Sequence, residues 1–103
     1  PAAGTLLGAL IGSEDGSSLD RADQQYARRA HVQAQAAPIG QSIVWSNPES
    51  GHSGTVTPVR EGRIPSTGEY CREFQQTVQV GGQRQQAYGT ACRQPDGSWR
   101  VVQ

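Results

Sequence analysis

EYCREFQQTVQVGGQRQQAYGTACR, residues 69–93, holds both cysteines of the chain, with a glycine pair midway between them. A Gly-Gly dipeptide between two alternating runs favours a two-residue hairpin turn. With Gly81-Gly82 as that turn, the numbers of paired residues add to 163, and Cys71 and Cys92 fall directly opposite each other. Val80 and Gln83 form the first hydrogen-bonded pair, and pair types alternate outward from it. Cys71 and Cys92 are then a non-hydrogen-bonded pair, where Cα atoms approach to ~4.5 Å. That is within disulfide reach. The sequence therefore predicts a Cys71–Cys92 disulfide, and with it an oxidising compartment.

The same register sorts the two faces of the hairpin. Tyr70, Phe74, Val78 and Val80 share a side with Ala87, Gly89 and Ala91. Glu73, Gln75, Gln79, Gln86 and Thr90 take the other side, with Tyr88 as an exception. One face packs and the other meets water, as in an antiparallel sheet. Phe74 lies across from Gly89, an aromatic ring over a bare glycine.

Shorter strand signals flank this hairpin. QSIVW is one, followed by the turn cluster SNPESG. GTVTPVR is another, in which Pro58 requires an edge position or a bulge. EGRIPSTG reads as a loop. QPDGS fits a type I turn with Pro95 second and Gly97 fourth, and WRVV closes the sheet as a last strand.

Upstream, SSLDRADQQYARRAHVQAQAA, residues 17–37, reads as a helix. Leu19, Ala22, Tyr26, Ala30, Ala34 and Ala37 recur at helical spacing and form its expected packing stripe. Ser17 or Ser18 is the expected N-cap, with Asp20 in the first turn, and Pro38 and Gly40 end the helix. The fold class is α+β: a helix, then about five antiparallel strands with one disulfide. Residues 1–16 form a leading segment, 17–40 the helix and linker, and 41–103 the β-domain.

The leading segment spaces Gly4, Gly8, Gly12 and Gly16 four residues apart. Glycine is a poor helix former in water. In a membrane, such a stripe lets a second backbone approach closely. The apolar run from Ala2 to Gly12 is shorter than the about 20 residues a span requires. It reads either as the tail of a membrane segment or as a flexible leader, and Glu14 and Asp15 interrupt the zipper at its end. The chain opens at Pro1, so any targeting signal is expected upstream.

Nine Arg, no Lys and nine acidic residues cancel to zero net charge. That balance argues against nucleic acid as a partner. Arg72, Arg84, Arg93 and Arg100 fall on the sheet with Trp45 and Trp99. The expectation is tryptophan in the core and arginine paired with Glu69 and Glu73. Two cysteines, with His31 and His52 at no ligand spacing, predict no metal and no cofactor. GHSG, residues 51–54, places His52 beside Ser53. It lacks the elbow and the strand–turn–helix setting of a nucleophile. It reads as a hairpin turn, with His52 an ordinary surface residue and the chain not an enzyme.

SLDRADQQYA, VWSNPESGHSGTVTP, YCREFQQTV and YGTACRQPDGSW, in that order behind a glycine zipper, resemble the 17-kDa surface antigen family of Gram-negative outer-membrane lipoproteins. The resemblance covers nearly the whole chain from Gly4. It implies a lipid anchor on a cysteine upstream of Pro1 and a location on the periplasmic or surface-exposed face of the outer membrane. The implied role is non-enzymatic, structural or partner-binding, with self-association or an envelope protein as the zipper's partner. A small-ligand-binding or enzyme-inhibitor module in the periplasm is the alternative.

Overall fold

A computed structural model describes residues 19–102. Helix α1 spans Arg21–Ala36, and five strands follow: β1 Ile43–Ser46, β2 Ser53–Arg63, β3 Tyr70–Val80, β4 Gln83–Arg93 and β5 Trp99–Val102. Each strand pairs antiparallel with its sequence neighbour, so the sheet is an up-and-down meander in the order β1-β2-β3-β4-β5. This is the expected α+β fold. Gly4, Gly8, Gly12 and Gly16 lie outside the described residues.

The central hairpin has the register the glycine turn dictates. Val80 pairs with Gln83, Phe74 with Gly89 and Cys71 with Cys92. Cys71 and Cys92 are disulfide-bonded, with Cα atoms 4.0 Å apart. Gly81 and Gly82 both hold positive φ, which L side chains rarely adopt. Closing the loop between the cysteines stabilises the fold by roughly 3 kcal/mol, largely by restricting the unfolded chain. The Cys71→Ala, Cys92→Ala double variant is expected to lose about that much in urea titration.

β2 runs further than its sequence suggested. Glu61, Gly62 and Arg63, read as loop, continue the strand because they pair with Arg72, Cys71 and Tyr70. The register shifts between Pro58 and Arg60, leaving Val59 as a bulge. β1 pairs only with Ser53–Val56, so β2 beyond it is a local edge. The Pro58 carbonyl accepts there from the Gly40 amide at 2.7 Å. In a strand, N and O of one residue point the same way, so the missing Pro58 N–H also falls on that open side. The final turn closes with the Gly97 amide on the Gln94 carbonyl, as a type I turn requires.

α1 packs across β1 and β2. The core joins Leu19, Ala27, Ala30 and Ala34 to Trp45, Val56, Phe74, Val78, Ala91 and Trp99. Both tryptophans are buried, as expected. Two corrections concern the helix. Its N-cap is Asp20, not Ser17 or Ser18: Asp20 Oδ1 accepts from the Asp23 amide at 2.7 Å, and Asp23 Oδ2 accepts from the Asp20 amide at 3.1 Å. The packing stripe is also rotated. Asp23, Ala27 and His31 are buried beside Ala30 and Ala34, whereas Ala22 is exposed and Tyr26 half-buried. The rotation turns the Asp23 carboxylate toward partners in the turn between β1 and β2.

Trp45 lies over Gly54, its direct partner on β2. A Cβ on Gly54 would sit 2.5 Å from Trp45 Nε1, 2.7 Å from Cε2 and closer still to the Thr77 carbonyl oxygen. The last of these is backbone and cannot swing aside. Gly54→Ala is expected to cost about 1–3 kcal/mol, as overpacking does, and to shift Trp45 fluorescence.

Candidate functional site

The densest polar cluster among the described residues joins the start of α1 to the β1–β2 turn. The turn is shaped locally: the Gly51 amide reaches the Asn47 carbonyl at 2.8 Å, and the Glu49 amide donates to Asn47 Oδ1 at 3.0 Å. Gly51 takes the positive φ that this closure needs. The turn thereby presents Asn47, Ser50 and His52 to the helix.

All three converge on Asp23, which is 0% exposed. Asn47 Nδ2 donates to Asp23 Oδ1 at 2.8 Å, and Ser50 Oγ donates to the same oxygen at 2.7 Å. His52 Nδ1 lies 2.7 Å from Oδ2, which also accepts from the Asp20 amide. Burial alone would raise the Asp23 pKa. The hydrogen bonds from His52, Ser50, Asn47 and the Asp20 amide outweigh it and hold the value at about 2. An ionised carboxylate only accepts, so His52 donates from Nδ1.

His52 is thus not the ordinary surface residue its sequence suggests. Its side chain is 21% exposed and anchors a buried charge. His52→Ala is expected to cost more than an ordinary surface substitution, because truncation leaves a buried carboxylate short of a donor.

A histidine with Nδ1 on a carboxylate resembles part of a hydrolase triad, but the third member is misplaced. The Ser50 hydroxyl donates to Asp23 rather than to the imidazole, and itself accepts from the His52 amide at 3.1 Å. The group facing its proton is a carboxylate of pKa about 2, which is no base at neutral pH. Ser53 starts β2, paired with Ser46 and Gln79. The cluster is chemically a latch: it fixes helix to hairpin and satisfies one buried charge.

A second anchor grips the other end of α1. Arg72 Nη1 donates to the Ala34 and Ala37 carbonyls at 3.0 and 2.6 Å. These are orphan acceptors of the helix end, and a cation there also complements the helix dipole. α1 has no basic residue in its own last turn, and the sheet supplies one. Arg100 pairs with Glu69 as expected, whereas Glu73 is taken by Arg60. Arg84 is exposed beside the Gly81-Gly82 turn.

Between the two anchors, His31 packs on Phe74 with ring centroids 4.8 Å apart. It is 0% exposed, and neither ring nitrogen has a hydrogen-bond partner. Burial lowers its pKa to about 4, so the imidazole is neutral at physiological pH. Among the described residues no group of three or more His, Cys, Asp or Glu could hold a metal ion. No described helix is long and apolar enough to cross a membrane.

A short helix latched at both ends to a disulfide-stapled meander defines a small α+β domain. The chain belongs to the 17 kDa surface antigen family: the family model described as "17 kDa outer membrane surface antigen" matches residues 32–100. It is 52% identical to the 17 kDa surface antigen of Rickettsia bellii over 101 residues, covering 97% of this chain and 63% of that protein. It is 49% identical to the Rickettsia japonica protein of the same name over 87 residues, covering 84% and 54%. The Rickettsia felis protein matches at 52% over 84 residues, covering 78% and 52%. The chain thus spans between about half and 63% of the length of these curated relatives. No solved structure matches it.

Proposed function

We propose that this chain is the non-enzymatic domain of an outer-membrane lipoprotein in the cell envelope, with a structural or partner-binding role. Membership in a family described as an outer membrane surface antigen carries the reading. The disulfide supports an oxidising compartment such as the periplasm or cell surface. The latch supports a scaffold role, because it commits the Asp23–His52 pair to holding the fold. In this reading a lipid anchor lies upstream of Pro1. The stripe of Gly4, Gly8, Gly12 and Gly16 packs against a second copy, an envelope protein or the membrane.

The test is density-gradient fractionation of native cells, followed by crosslinking of intact envelopes. The protein is expected in the outer-membrane fraction, and recovery in the cytosol would contradict the proposal. Gly8→Leu with Gly12→Leu is expected to reduce crosslinked species severalfold while the β-domain still folds. Unchanged crosslinking with unchanged membrane partitioning would remove the role given to the zipper.

A further inference from the structure

One row of side chains crosses four strands at the end of the sheet beyond the helix C-terminus. Arg63 on β2 pairs with Tyr70 on β3. One residue beyond the Cys71–Cys92 pair, Tyr70 faces Arg93 on β4, and Arg93 pairs with Trp99 on β5. The guanidinium carbons of Arg63 and Arg93 lie 5.8 and 5.4 Å from the Tyr70 ring centroid. Arg93 is also 5.4 Å from the Trp99 ring. A surface cleft opens here, lined by Arg63, Tyr70 and Arg93 together with Glu69 and Gln94.

The charges in this region are unbalanced. Glu69 is held by Arg100 at 3.0 Å, and Glu61 accepts from the Tyr70 hydroxyl and lies 3.8 Å from Arg72. Asp96, in the adjoining turn, accepts from the Ser98 amide and hydroxyl. Neither Arg63 nor Arg93 has a carboxylate partner among the described residues. Arg63 makes one hydrogen bond, to the Gly68 carbonyl at 2.9 Å. The Arg93 side chain makes cation–ring contacts alone, with Tyr70 and Trp99. Such contacts use the face of a ring and leave guanidinium N–H groups available to a ligand. Buried Arg72 lies 5.8 Å from the Tyr70 ring centroid and donates from Nε to the Tyr70 hydroxyl at 2.6 Å, which fixes the ring.

We propose that this cleft is a phosphate-binding site, with Arg63 and Arg93 donating to one phosphate from the strands that flank Tyr70. Two neighbouring guanidinium groups supply more donors than a carboxylate can accept, whereas the three free oxygens of a phosphate monoester suit them. The ester belongs either to a lipid headgroup or to a soluble molecule.

The test is NMR observation of arginine Nε–H signals in the intact chain during titration with inorganic phosphate, against chloride at equal ionic strength. Saturable shifts at Arg63 and Arg93 are expected. Arg63→Gln or Arg93→Gln is expected to weaken binding about tenfold or more, the equivalent of one charge-assisted hydrogen bond. Arg93→Lys keeps the charge without the fork and should also weaken it. Circular dichroism checks that each variant keeps its sheet. Arg84→Gln, at the far turn, should bind as the parent does. Absence of saturation, equal shifts with chloride, or equal loss in Arg84→Gln would overturn the site. Phosphatidylcholine vesicles with and without phosphatidic acid, a lipid phosphomonoester, separate the sources. Phosphatidic-acid-dependent binding lost in Arg63→Gln supports a headgroup. Saturable phosphate binding without vesicle binding supports a soluble ester.

Discussion

Asp23→Ala is expected to destabilise the domain by about 3–5 kcal/mol, because several hydrogen-bond donors lose their shared acceptor at once. Four donors converge on this carboxylate: Asn47 Nδ2, Ser50 Oγ, His52 Nδ1 and the Asp20 amide. Asn47 is buried, so its amide is left without an acceptor, and each such orphan costs about 1–3 kcal/mol. The capping box fails at the same time, because Asp23 supplies half of it. Asp23→Asn keeps the shape but puts an N–H₂ where an acceptor is required, so it should recover only part of the loss. Urea titration of both variants measures this. A cost below about 1 kcal/mol for Asp23→Ala would mean that the latch contributes little.

Acidification is expected to produce the other large effect, in two stages. His31 has a folded pKa of about 4 against an ordinary 6.5. Its folded pKa is depressed, so the fold favours the neutral ring. That contribution is complete above pH 6.5 and is lost as pH falls from there to about 4. At 1.36 kcal/mol per pKa unit this amounts to about 3 kcal/mol. Asp23 has a folded pKa of about 2 against 3.8. Its contribution is complete above pH 3.8, and about 2 kcal/mol more is lost as pH falls toward 2. His31→Leu separates the stages. It removes two unpartnered buried nitrogens, so it should leave stability at pH 7 unchanged or raised. It should also flatten the curve between pH 6.5 and 4. A His31→Leu curve that still falls through that window would assign the first stage to another group.

The hairpin was legible because two local signals agree in it. The Gly81-Gly82 turn sets a register, and that register places both the cysteines and the apolar residues correctly. Arg72 was nearly legible: it shares the strand parity of Phe74 and Val78, so the same count, carried to it, would have put it on the packed face. What it grips, the carbonyls of Ala34 and Ala37, lies more than thirty residues upstream and leaves no local trace. The latch was hidden for the same reason. Asp23 and His52 are 29 residues apart, and their meeting depends on how the helix lies across β1 and β2. Part of it had a sequence signature. Asp20 and Asp23 have the three-residue spacing of a capping box, though glutamate is more usual at the second position. That spacing would have moved the N-cap from Ser17 or Ser18 and rotated the stripe toward Ala27. His31 escaped because an imidazole reads as polar until the surrounding packing shows it neutral and buried against Phe74.

The scaffold account makes the Asp23–His52 contact a structural bond between helix and hairpin. A double-mutant cycle on the two residues measures that bond directly. Asp23→Ala, His52→Ala and the double variant should be compared by urea titration at pH 7. The latch predicts strong non-additivity: the second substitution costs much less once the first is made, with a coupling on the order of 1–3 kcal/mol. Additivity within about 0.5 kcal/mol would contradict it, because two residues that share a load-carrying hydrogen bond cannot be lost independently.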